Sequence, residues 1–126
     1  LPRVSRGLAV GDYDNDGDED LVITSNGAGP RLLQNLLDPP HWLILRLRSD
    51  GPGNRDGYGA RVQIGRGDTI LMRQVQSAGS YLAASDPRVT LALGHHQSAS
   101  VTVHWPDGSA RSWSLPAGDH TLSQRQ

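Results

Sequence analysis

The segment Asp12-Tyr13-Asp14-Asn15-Asp16-Gly17-Asp18-Glu19-Asp20 places five Asp in nine residues. Counted from Asp12, carboxylates stand at positions 1, 3, 5 and 9, and Gly17 stands at position 6. Alternate residues let side chains converge on one centre while the chain curls around it. A Gly at position 6 permits the sharp bend, and a backbone carbonyl, here that of Asp18, normally serves at position 7. Oxygen donors without Cys or His select Ca²⁺ over zinc or copper.

Position 12 decides the kind of loop. An EF-hand requires a bidentate Glu there, and this chain has Ile23. The flanks Leu8-Ala9-Val10 and Leu21-Val22-Ile23 are short and carry no helical period, so the expected unit is strand, cation loop, strand. The bland alternative is a solvated acidic turn. Five Asp repel one another at close range, and no basic residue is expected near enough to neutralise them, so a counter-ion is. The expected ligand set is Asp12, Asp14, Asp16 and Asp20 by carboxylate and Asp18 by carbonyl.

Other candidate chemistries are weaker. Asp50-Gly51-Pro52-Gly53-Asn54-Arg55-Asp56-Gly57-Tyr58-Gly59 lacks the Lys-Ser/Thr ending of a phosphate loop and opens no helix. A second calcium site on Asp50, Asn54 and Asp56 would need an irregular spacing. The same loop is the candidate interaction surface, with Asn54, Arg55, Asp56 and Tyr58 set among glycines and Tyr58 expected to be exposed. Arg66-Gly67-Asp68, a tripeptide that integrins recognise, is better explained as turn chemistry. His95 and His96, adjacent on a chain, cannot readily chelate together. No Gly-x-Ser-x-Gly elbow accompanies the many Ser, and the only paired carboxylates are those of the cation loop. Trp105 and Trp113 share strand faces with apolar residues and are expected in the core rather than in a sugar-stacking platform. Together these features predict a chain without enzymatic activity.

The 126 residues suffice for one ordinary domain with an attached piece. The net charge of −1 hides an asymmetry. Residues 1–40 hold three Arg against seven acids, a balance of −4, while residues 41–126 hold nine Arg against six Asp, a balance of +3. The acidic half owes its sign to one loop, and the Arg of the other half are dispersed, which argues against a nucleic-acid partner. No apolar run approaches the ~18 residues that cross a bilayer as a helix. Lys and Cys are absent, so disulfides and thiolate metal sites are excluded. Because Leu1 falls inside a patterned segment, the chain reads as the C-terminal part of a longer precursor.

The elements that must position the loop are short strands. Residues 4–10 and 21–24 flank it, Asn26-Gly27-Ala28-Gly29-Pro30 reads as a turn cluster, and residues 31–34 read as a third strand. Asp38-Pro39-Pro40 breaks regular structure and marks a boundary, giving units 1–40 and 41–126. Beyond it, Leu43, Leu45 and Leu47 alternate along a strand. Residues 61–64 and 69–75 form a hairpin, and residues 89–93, 100–105, 111–115 and 120–122 are further strands. Asp107-Gly108 suggests a type I′ turn. The expected fold is all-β: a strand–loop–strand repeat packed on a sandwich of seven or eight short antiparallel strands.

Residues 7–23, Gly-Leu-Ala-Val-Gly-Asp-Tyr-Asp-Asn-Asp-Gly-Asp-Glu-Asp-Leu-Val-Ile, resemble an FG-GAP (VCBS-type) calcium repeat of integrin-like propeller blades. The remainder is similar to the ASPIC/UnbV domain of bacterial exported proteins and the cartilage acidic protein family. The segments that carry this are Asn54-Arg55-Asp56-Gly57-Tyr58-Gly59-Ala60-Arg61-Val62, Ser80-Tyr81-Leu82, Ser85-Asp86-Pro87-Arg88-Val89, Leu93-Gly94 and Val103-His104-Trp105-Pro106-Asp107-Gly108. The resemblance implies Ca²⁺ held by Asp12, Asp14, Asp16 and Asp20 with the Asp18 carbonyl; for the second unit it transfers no ligand residues. It also implies an extracellular, periplasmic or cell-surface module that binds a protein or glycan at a surface or matrix. A carbohydrate-binding module and an accessory domain of a larger exported enzyme are the alternatives. One repeat cannot close a propeller, so further blades precede Leu1 or the repeat packs on the second unit.

Overall fold

The computed structural model describes residues 4–51 and 54–125. Leu1 and the Pro52-Gly53 step of the Gly-rich loop lie outside the described residues. Those described contain ten strands and no helix. Among the described residues, no helix is therefore long and apolar enough to cross a membrane.

Strands β1 (Ser5–Gly11), β2 (Asp20–Ser25) and β3 (Ala28–Leu33) form an antiparallel sheet in that order. Val10 pairs with Leu21 and Gly11 with Asp20, so the acidic loop spans the narrow end of a hairpin. The β3 strand begins at Ala28, inside the residues expected to form a turn cluster. The turn is confined to Asn26 and Gly27, where Gly27 takes φ +69° and leaves Gly29 and Pro30 free to extend.

Seven strands build the sandwich: β4 (Trp42–Arg48), β5 (Arg61–Arg66), β6 (Thr69–Gln74), β7 (Val89–Ala92), β8 (Ser98–His104), β9 (Ala110–Pro116) and β10 (Gly118–Ser123). One sheet runs β10-β4-β7 and the other β6-β5-β8-β9. The expectation of an all-antiparallel sandwich fails at one pair, because β10 runs parallel to β4 from Gly118–Leu43 to Ser123–Arg48. The turn at Gly118, with φ +130°, sends the chain from β9 into the opposite sheet rather than back beside β9. The Trp105–Ser109 connection also differs from expectation. A type I′ turn needs positive φ at both central residues, and Asp107 does not take it. The Gly108 N–H instead donates to the Trp105 carbonyl at 3.0 Å, and Gly108 alone takes positive φ, at +89°.

Alternation explains the core. Leu43, Leu45 and Leu47 of β4 meet Val62 and Ile64 of β5 and Val101 and Val103 of β8, all buried. Trp105 joins this cluster and Trp113 packs on its rim, as expected for both. Ile44, on the opposite face of β4, is also buried, so β4 is covered on both sides. The small sheet is less covered, with Leu8, Val22, Leu32 and Leu33 exposed. Deleting the Leu45 side chain from the enclosed centre should cost about 2–5 kcal/mol through lost transfer energy and a cavity. Urea unfolding of Leu45→Ala should then show a lower midpoint at an unchanged slope.

Candidate metal centre

The loop is shaped by its own carboxylates. Asp12, buried at 1 % exposure, accepts the N–H of Asp16 at 3.2 Å and of Gly17 at 3.1 Å. Asp20, at 2 %, accepts the N–H of Tyr13 at 3.1 Å and of Asn35 at 2.8 Å. Backbone N–H groups that would otherwise point at one another are thereby satisfied, and the chain is forced into a tight ring. Two residues take left-handed backbone to close it: Asn15 at φ +61° and Gly17 at φ +94°. A Cβ on Gly17 would lie 2.2 Å from Cγ of Trp42, so the indole at the start of β4 packs directly on the loop.

Within this ring Asp12, Asp14 and Asp20 each bring a carboxylate oxygen within 4.8 Å of the others. Asp16 is placed differently: its Oδ1 accepts the Asp18 N–H at 3.1 Å. The Asp18 carboxylate lies outside the triad. Both its oxygens are buried without a hydrogen-bond partner. Burial pushes its pKa above the usual carboxylate range, with Asp16, Asp20 and Asp14 adding to the shift; the Leu37 N–H lies near enough to draw it back without reaching hydrogen-bond geometry. Asp18 also borders a cleft of about 510 Å³ between the loop and the sandwich, lined with Asn35, Leu37, Arg73 and Leu91.

Three converging carboxylates, further oxygen donors around them and no nitrogen or sulfur ligand suit a hard divalent cation. Asp12, Asp14 and Asp20 would supply the charge that holds it. Gln34 supports the arrangement from the end of the repeat, donating from Nε2 to Asp14 Oδ2 at 2.7 Å.

Sequence reasoning missed Trp42, Gln34 and, above all, Arg88 at this site. No basic neighbour was expected, yet Arg88 reaches the loop from the sandwich, donating to the Asp12 carbonyl and to Asn15 Oδ1, each at 2.6 Å. It stands 76 residues from Asp12 in the chain, and only the fold brings the two together. Its place in Ser85-Asp86-Pro87-Arg88-Val89 carried no cue to this role.

In the described part of the Gly-rich loop, the candidate interaction residues bond to one another and to the sandwich. Asn54 caps it, accepting the Tyr58 N–H at 2.5 Å and donating to the Tyr58 carbonyl at 2.8 Å. Asp56 pairs with Arg48 at 2.7 Å, and Tyr58 is half-buried against the core rather than exposed. Arg55 stays exposed, 3.7 Å from Asp56. Arg66 donates to the Ala92 carbonyl, tying the Arg66-Gly67-Asp68 turn to the neighbouring sheet.

Two family models match the chain in sequence order. The FG-GAP repeat matches residues 6–35, and the model for ASPIC and UnbV matches residues 50–126. No curated protein matches it.

The stranded carboxylate of Asp18 gives a direct test of the loop. Asp18→Asn removes an unpaired buried charge and a source of repulsion while keeping the backbone carbonyl. In chelator, its melting temperature should exceed that of the wild type, and its Ca²⁺ affinity, measured by calorimetry, should change less than threefold.

Proposed function

Because the chain belongs to the ASPIC and UnbV family and carries an FG-GAP repeat ahead of that domain, we propose that it is a non-enzymatic, calcium-stabilised interaction module of an exported protein. The observation that carries the reading is the convergence of Asp12, Asp14 and Asp20 in a loop built from oxygen donors. A bound Ca²⁺ neutralises carboxylates that otherwise repel, and the ring of N–H bonds around Asp12 and Asp20 then holds one shape. The gain in order reaches Trp42 and Arg88, because both touch the loop.

Supporting observations bear on the absence of catalysis and on the class of partner. Among the described residues no His ring hydrogen-bonds a Ser hydroxyl; His120 Nε2 instead contacts the Pro116 carbonyl at 2.8 Å. A nucleophile activated by an adjacent base would need such a pair. The Trp rings are engaged in packing: Trp105 lies in the core, Trp42 on Gly17, and Trp113 beneath the guanidinium of Arg111 at 5.3 Å. That favours a protein partner over a sugar stacked on Trp. The FG-GAP and ASPIC/UnbV pairing is typical of exported proteins, which supports a partner at a cell surface or matrix.

Calcium should raise the melting temperature. Binding to the folded state alone stabilises by about 2.7 kcal/mol at a hundredfold excess over the dissociation constant, a shift of roughly 10 °C for a chain of this size. Melts in Ca²⁺ and in chelator should differ by this order, and Asp14→Ala should erase the difference. Identical wild-type melts would refute the reading. Mg²⁺ at equal concentration should compete poorly, because it demands tight octahedral geometry and gives up water reluctantly.

A further inference from the structure

Arg88 is held rather than free. Asp86 accepts its backbone N–H at 2.9 Å through Oδ1 and its Nε at 2.7 Å through Oδ2, and the guanidinium is also within 2.6 Å of that carboxylate. Pro87 between them limits the backbone, so the fork leaves the sandwich in one direction. Nη2, the nitrogen beside Asp86, also donates to the Asp12 carbonyl, and Nη1 donates to Asn15 Oδ1. The side chain is 13 % exposed.

The same segment closes the edge of the small sheet. The Asp86 N–H donates to the Val10 carbonyl at 2.9 Å, while the N–H groups of Val10 and Leu8 donate to the hydroxyls of Ser85 and Ser80 at 3.2 and 3.1 Å. Close approach is possible because a Cβ on Gly11 would meet Asp86 Cβ at 2.8 Å. Residues 80–88 therefore hold both the strand entering the loop and the loop itself.

We propose that Arg88 is a positioning residue that couples cation binding in the loop to docking of the small sheet on the sandwich. The proposal rests on the calcium reading above. Asp12 presents its carboxylate to the cation triad and its carbonyl to Arg88, so displacing either end moves the other. A positive charge beside a cation site would ordinarily weaken it. Here the Asp86 carboxylate cancels that charge at contact distance, and the ordering effect prevails. Coupling is reciprocal: if docking tightens cation binding, the cation tightens docking by the same factor.

The experiment uses the full chain with Ca²⁺ alone as the probe. Since the chain has no Cys, Ala28→Cys on β3 and Ser114→Cys on β9 allow paired spin labels across the seam, and calorimetry gives the dissociation constant. In the wild type, Ca²⁺ should narrow the label distance distribution. Arg88→Met, which keeps the apolar stem, should weaken Ca²⁺ binding about tenfold and leave the distribution broad with or without Ca²⁺. Arg88→Lys should behave like Arg88→Met, because a point charge cannot span both acceptors. If Arg88→Met fails to fold, Asn15→Gly keeps the left-handed backbone and removes one acceptor, and it should weaken binding in the same direction by a smaller factor. Wild-type Ca²⁺ affinity and Ca²⁺-dependent narrowing in the Arg88 variant, or unchanged affinity in Asn15→Gly where that variant is needed, would overturn the coupling alone. A wild type that takes up no Ca²⁺ would overturn the calcium reading and the coupling with it.

Discussion

Two almost fully buried carboxylates, Asp12 and Asp20, govern the arrangement of everything around them. An ionised carboxylate removed from water needs either a cation or several N–H donors, or it gives up its charge. Each of these accepts two backbone N–H groups, and those donors come from Tyr13, Asp16, Gly17 and Asn35. The path of the loop follows from that demand. So does the path of the linker, since Asn35 must return to Asp20 before the chain leaves for β4. The solution is incomplete: Asp14 receives one amide from Gln34, and Asp18 receives none. A residue of negative charge is left on the triad, and it is there that a cation adds most.

The small sheet meets the sandwich mainly along a backbone edge, and that has a physical reason. An exposed strand edge offers unpaired N–H and C=O groups that would template association with another chain. Along β1 these groups are covered by a carbonyl-to-amide bond with Asp86 and by two Ser hydroxyls, which adapt to a strand they do not run parallel to. Gly7 and Gly11 provide the clearance: a Cβ at Gly7 would lie 3.0 Å from the Tyr81 carbonyl and 2.9 Å from Thr24 Oγ1. A seam made of directional bonds at short range fixes orientation more strictly than one made of apolar area. It also fails more abruptly if one partner moves.

Most strands were legible in the sequence because their period of two is written in side chains that must alternate between core and solvent, as at Leu43, Leu45 and Leu47. The loop was legible for a similar reason, since its spacing is local. What stayed hidden depends on contacts remote in sequence or on competition between local rules. The parallel pairing of β10 with β4 is set by where Gly118 turns, which no alternation reports. At residues 105–109 Asp-Gly signals a two-residue turn, but the loop closes one residue wider, with the Trp105 N–H on the Ser109 carbonyl and Pro106 at the first corner, where its fixed φ suits an ordinary turn. Tyr58 has the surroundings of an exposed loop residue, but Gly57, at φ +69°, turns the chain close to Leu47 and brings Tyr58 back onto the core. Arg88 was the largest omission, and nothing within nine residues of Asp12 could have disclosed it.

The charge asymmetry of the chain takes on its meaning at the seam. The described residues bring the acidic excess before residue 41 and the basic excess after it together at two points. Arg73 acts on the charge of Glu19 across the cleft, and Arg88, already compensated by Asp86, touches the loop itself. An ion pair shared in this way orders the loop without discharging it. Direct neutralisation, with a guanidinium on the triad carboxylates, would leave no role for a divalent ion. Contact through the Asp12 carbonyl and the Asn15 amide oxygen keeps the carboxylates available and still bonds the loop to the sandwich. The chain therefore separates two demands that a single salt bridge would merge: the sandwich supplies position, and the charge is left for a cation to satisfy.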